Sequence, residues 1–164
     1  YLGACIVETK NYNRLLSLTT HKEGTNNMDD LDSIVEFSVN LKDQKAPDPL
    51  PPGKYTGVVR GAEVKMSQRD TKYAAVSFHI SPDQFPADWE DGNPDGQILV
   101  YRRVGLEDNP NSRFGTKRFI ESIGAPLSKK IDVNEWVGLE AELEVAHSTW
   151  EGTTRAEITR VSAA

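Results

Sequence analysis

Asn109-Pro110-Asn111-Ser112-Arg113-Phe114-Gly115-Thr116-Lys117-Arg118-Phe119-Ile120-Glu121-Ser122-Ile123-Gly124-Ala125-Pro126 is the stretch on which the fold turns. Asn109 offers a side-chain oxygen to the free N–H groups of a helix start, and Pro110 follows where its missing N–H costs nothing. Gly124 and Pro126 stop the helix. Between these signals Phe119, Ile120 and Ile123 form an apolar stripe, with Arg113, Lys117 and Arg118 largely off it. One helix is predicted here, and its neighbours on both sides read as strands.

Upstream, Gln97–Val104 alternates, with Ile98, Val100 and Val104 on one face and Leu99, Tyr101 and Arg103 on the other. Before it, Tyr73–Ser81 places Ala74, Val76, Phe78 and Ile80 on a core face and Tyr73, Ala75, Ser77 and His79 opposite. Gly53–Met66, rich in Val and Tyr, reads as the first strand, with Gly57 and Gly61 allowing a bend or bulge. Downstream, Asp132-Val133-Asn134-Glu135 has the spacing of a capped short turn that would bury Trp136 and Val137. Leu139, Ala141, Leu143 and Val145 then alternate with Glu140, Glu142 and Glu144, and Thr153–Val161 is the last strand after a loop at His147–Gly152. Three strands, one helix and two strands is the order of the OB-fold. The expected architecture is therefore mainly β, a five-stranded OB-fold-like Greek-key barrel with one helix between strands three and four.

Residues 53–164 form this expected domain. Residues 28–52 read as an acidic, Pro-rich arm with Asp29, Asp30, Asp32, a short strand over Ile34–Val39, and Pro47, Pro49, Pro51 and Pro52. Residues 1–27 differ in character. Lys22-Glu23-Gly24 can be encoded AAG-GAG-GGN, the purine run of a bacterial ribosome-binding site, and Met28 follows at start-codon spacing. The expectation is that Met28 is the native start and 1–27 a non-native or upstream leader. A different codon choice at Lys22 to Gly24 in the gene would overturn it.

Composition narrows the function. Hydrophobic residues are 37% and charged residues 27% of 164, with apolar runs far too short to span a membrane as helices. The single cysteine, Cys5, excludes an internal disulfide framework and fits a reducing compartment. A net charge of -6 argues against a nucleic-acid coat held by bulk charge. The charge is segregated, however. Arg102, Arg103, Arg113, Lys117, Arg118, Lys129 and Lys130 lie close together, whereas after Ile131 only Arg155 and Arg160 oppose seven acidic residues. Such segregation leaves room for one basic face.

Enzyme signatures are missing: no nucleophile elbow, phosphate loop, dinucleotide fingerprint or zinc-protease helix is present. The acidic loop with Asp88, Glu90, Asp91, Asn93 and Asp95 is oxygen-rich, but Gly92 falls where a calcium loop needs an oxygen ligand. Neither a metal nor a cofactor is expected, and the protein is read as non-enzymatic.

Binding of a single nucleic-acid strand needs π-faces for bases and cations for phosphates. Tyr73 and Tyr101 fall on the non-core faces of the second and third strands, and Trp150 sits in the polar loop before the last strand. These three are the expected stacking residues. Lys65, Arg69, Lys72, Arg103 and Arg155 are the expected phosphate contacts. On an OB-fold, strands two and three with the loops after strands one and four form the usual binding face, where these side chains would meet. The sequence also admits Tyr101 against the helix if the register slips by one, Trp150 folded over the barrel end, and Phe85 with Trp89 pinning the long loop.

Leu50-Pro51-Pro52-Gly53-Lys54-Tyr55, the alternating Tyr73–Ile80, Ser122-Ile123-Gly124 and Val137-Gly138-Leu139-Glu140 together resemble a family of phage-encoded single-stranded DNA-binding proteins with an OB-fold. The resemblance covers roughly residues 49–161, with the 82–96 loop as an elaboration. It implies sequence-tolerant binding of single-stranded DNA in phage replication or recombination, in the cytoplasm of an infected bacterial host. Partners would be phage replication or recombination proteins, with no membrane. A strand at Ile34–Val39 would offer an edge to a second copy, so a homo-oligomer is admitted. The rival expectation is a structural or protein-interaction module of a virion on the same scaffold.

Overall fold

A computed structural model describes residues 35–164, so the leader 1–27 and the first part of the arm lie outside it. Residues 35–44 form a separate unit whose only regular element is an exposed 3-10 turn at Leu41–Asp43, capped by Asn40. The part of the expected Ile34–Val39 strand that is described, 35–39, is not a strand. The compact unit is Lys45–Ala164.

Five strands build that unit: β1 (Gly53–Met66), β2 (Lys72–Ile80), β3 (Gln97–Gly105), β4 (Glu140–Trp150) and β5 (Thr153–Ser162). All pair antiparallel in one sheet ordered β3-β2-β1-β4-β5. One helix, α1 (Pro110–Ser122), separates β3 from β4, followed by a 3-10 turn at Val133–Trp136. The sheet is mainly β with the expected element order. Its two edge strands are β3 and β5, which no backbone ladder joins among the described residues. The side chains of Arg103 on β3 and Glu157 on β5 nonetheless meet at 2.9 Å, so the sheet curls far enough for its edges to approach.

β1 is the long strand that makes this curl. Its first half pairs with β4 and its second with β2, overlapping at Gly57 and Val58. Tyr55 and Val59 face the core. A register shift between Val59 and Gly61 then moves the buried position to Ala62. Gly57 is required where the two ladders overlap, because a Cβ there would run into Leu143 Cδ1 and lie 3.2 Å from Phe78 Cβ. Ala74, Val76, Phe78 and Ile80 bury as their alternation predicts, with Ala141, Leu143 and Val145 beside them across β1.

The helix closes the core from the other side. Asn109 accepts a hydrogen bond from the Ser112 amide and Pro110 occupies the first turn, as the sequence signals require. At the far end Gly124 adopts φ +71°, and the Ala125 amide donates back to the Ile120 carbonyl at 3.1 Å. Phe119, Ile120 and Ile123 are buried, and Thr116 donates to the Gly105 carbonyl at 2.6 Å, tying the helix to β3. Trp136 is buried against Phe119, whereas Val137, expected to be buried, is 51% exposed.

Leu50, which the sequence assigned to the arm, is fully buried in the core. Its carbonyl contacts His147 Nε2 at 3.0 Å, and the Tyr55 hydroxyl donates to the Pro51 carbonyl at 2.8 Å. The end of the Pro-rich segment is thus part of the packed unit rather than a preamble to it. No described helix is long and apolar enough to cross a membrane.

Candidate nucleic-acid interface

The β4–β5 hairpin sets the first wall of the site. β4 runs on through the expected His147–Gly152 loop as far as Trp150, which pairs with Thr153. Glu151 (φ 50°) and Gly152 (φ 78°) make a two-residue turn with both residues left-handed, the conformation that suits the twist of a tight hairpin. Ala141, Leu143 and Val145 face the core, so by alternation Ser148 and Trp150 face outward. Trp150 is 75% exposed and does not fold back over the end of the sheet.

β3 is the second wall, and here the structure corrects the sequence. Tyr101 pairs with Val76 and Val104 with Ala74, so Arg102 and Arg103 of β3 together stand opposite Ala75 of β2. This bulge around Arg102 and Arg103 reverses the faces. Leu99 and Tyr101 join Val104 on the core side, and Ile98 and Val100 turn outward, 47% and 37% exposed. Tyr101 is therefore not an open stacking platform. Its ring stacks on Phe119 of α1 at 5.8 Å, and burial raises its phenol pKa while the Arg103 and Arg118 charges lower it.

Between the walls lies a groove of about 410 Å3. Ile98, Val100 and Trp150 supply its apolar lining, Arg102, Arg103 and Arg155 its charge, and Glu157 is the one acidic residue along it. Arg103 is held by Glu157, whereas Arg102 and Arg155 have no ion-pair partner among the described residues. The Arg103–Glu157 pair is half-exposed and so contributes little by itself.

Of the expected site residues, Trp150, Arg155, Arg103 and the partly covered Tyr101 meet in this groove. Tyr73, Lys65, Arg69 and Lys72 do not line it. They cluster at the β1–β2 hairpin, where Lys65 pairs across the ladder with Tyr73 and its ammonium sits 3.0 Å from Glu63. The Lys72 amide donates to Glu107 at 2.5 Å, fixing the hairpin base beside the end of β3. Ile98, Val100 and Arg102 escaped the sequence reading, because a strict alternation without the bulge sends both aliphatic residues into the core.

The acidic loop stays clear of the groove. Gln84 bonds both backbone groups of Thr56, the Asp48 amide donates to Asp91 Oδ2 at 2.6 Å, and Trp89 Nε1 donates to the Asp48 carbonyl. Phe85 and Trp89 meet edge to face at 4.9 Å and pack on the core, holding the loop as the sequence suggested. His79 Nε2 lies 2.8 Å from the Asp95 carbonyl, so this histidine serves as a tether. No residue of 82–96 lines the groove. The sequence matches no known family model and no curated protein.

Proposed function

We propose that this protein binds single-stranded DNA without sequence preference, along the groove between β3 and the β4–β5 hairpin of an OB-fold-like Greek-key barrel. The observation that carries the reading is the exposed Trp150 ring beside Ile98 and Val100, flanked by Arg102 and Arg155. An aromatic face and aliphatic side chains take up unstacked bases, and guanidiniums follow the phosphates. Duplex DNA presents no free base faces, so this surface favours a single strand. The reading extends to a non-enzymatic role in phage replication or recombination, in the cytoplasm of the infected host, alongside phage replication proteins and with self-association possible on the strand.

The net charge of -6 favours a second reading, in which the same apolar groove docks a protein segment of a virion. Titration with oligothymidine at two salt concentrations, with duplex as control, separates the two. Because Trp136 is buried and Trp89 is packed on Phe85, quenching on binding would come from Trp150. Salt-sensitive quenching by the single strand alone supports the first reading. No binding even at low salt, by fluorescence or by gel shift, transfers the groove to the second.

A further inference from the structure

Next to the groove, and sharing Tyr101 and Arg103 with it, is a second cavity of about 230 Å3 between β3, α1 and β5. Three arginines line it, one from each element: Arg103 from β3, Arg118 from α1 and Arg160 from β5. No carboxylate does. On a chain carrying a net charge of -6, three arginines with no carboxylate around one cavity make a local concentration of positive charge that attracts an anion. The arginines are only partly engaged. Arg103 has Glu157, Arg118 lies 6.0 Å from the Phe114 ring centre, and Arg160 has no partner among the described residues.

The other lining groups narrow the chemistry. The Ser122 hydroxyl donates to the Arg118 carbonyl and the Thr159 hydroxyl to the Glu144 carbonyl, so both are spent within the fold. The Tyr101 hydroxyl has no partner among the described residues, and its ring is fixed by stacking on Phe119. The free donors are thus guanidinium forks and one phenol, a set that suits a compact tetrahedral oxyanion.

We propose that this cavity is a phosphate-binding site, held by Arg103, Arg118 and Arg160 with the Tyr101 hydroxyl. The site does not need the single-strand reading, but if that reading holds, it carries the strand off the end of the groove and over α1. The phosphate then has two sources, a phosphodiester of a bound strand or a free phosphate.

Heteronuclear NMR of the arginine Nε–H groups during titration with inorganic phosphate at constant ionic strength, with chloride as control, tests the site. Arg118→Gln with Arg160→Gln is the variant; both residues are exposed, so the fold should survive. A saturable shift of Arg118 and Arg160 signals in the wild type, and a loss of phosphate affinity on the order of tenfold or more in the double variant, read from the Arg103 signal, would establish a site for free phosphate. Oligothymidine titrations of the double variant supply the other arm. A fall of the salt slope by about 0.7 per lost contact would establish a strand phosphate at the site, even if free phosphate binds too weakly to see. Phosphate binding that survives in Trp150→Ala while oligothymidine binding vanishes in every protein would leave the site standing and remove the single-strand reading. Shifts reproduced by chloride, together with an unchanged salt slope, would overturn the proposal.

Discussion

Replacing Trp150 with alanine separates binding from folding more cleanly than any other change in this protein. The ring is 75% exposed at the end of β4, so its removal opens no cavity in the core. Its one structural contact of note is the cross-strand pairing with Thr153, and an aromatic–β-branched pair of this kind contributes about 0.2–1 kcal/mol. The turn at Glu151 and Gly152 does not depend on the ring. The variant should therefore unfold within about 1 kcal/mol of the wild type in urea. Binding is different, because a base stacked on one aromatic side chain is worth about 1–3 kcal/mol. Oligothymidine affinity should fall about 5- to 150-fold. Anisotropy of a labelled oligonucleotide is the suitable assay, since the variant lacks the tryptophan that reports by quenching. Trp150→Phe keeps a π-face and should recover part of the loss. Affinity within twofold of wild type in Trp150→Ala, with unchanged stability, would refute the stacking role of this side chain.

Other outcomes follow from the same geometry. Arg155→Gln, which removes an unpaired groove cation, should lower the slope of log affinity against log salt by about 0.7; an identical slope would take Arg155 off the strand's path. Gly57→Ala pushes a methyl into the buried Leu143 and against Phe78, and should cost about 1–3 kcal/mol in denaturant unfolding; an unshifted midpoint would mean that the β1–β4 overlap is loosely packed. Tyr55 and Tyr101 should ionise above the usual phenol value, because burial disfavours the phenolate. The folded state then holds its protons longer than the unfolded chain. This contribution is fully present below pH about 10 and lost as pH rises through the folded values. Arg118→Gln removes a cation that lowers the Tyr101 value, so phenolate absorbance should appear at still higher pH; no change would place Arg118 farther from that hydroxyl than the structure has it.

Much of this architecture is legible in the sequence. Asn109, Pro110 and Gly124 bound the helix because capping is local chemistry, settled within a turn of the chain. β1 matches the expected Gly53–Met66, and β2 differs from its expected span by one residue at each end. Trp136 was placed correctly in the core, since a large ring beside a capped turn has little else to pack on. The Trp150 ring, balanced between stacking surface and barrel lid, needed the structure. Its exposure depends on β4 continuing to the hairpin tip, and on none of the described residues folding back over it.

The misreadings share a cause. Tyr101 was placed outside the core, and Ile98 and Val100 inside it, because alternation was carried straight through Arg102 and Arg103. A bulge adds one residue and exchanges the two faces of a strand, and no residue pattern in Gln97–Gly105 marks it. Leu50 was misassigned for a related reason: prolines around it mark a break in secondary structure, which is not the same as a break in packing. The order of strands and helix and the helix caps were thus determined by the sequence alone, because each is set by neighbours along the chain, whereas the tight turn at Glu151 and Gly152 stood inside an expected loop. Which arginines converge, and whether an aromatic ring faces a groove or a helix, was decided only when the bulges in β1 and β3 brought distant strands into one register. Faces are set by pairing across the sheet, and pairing is tertiary.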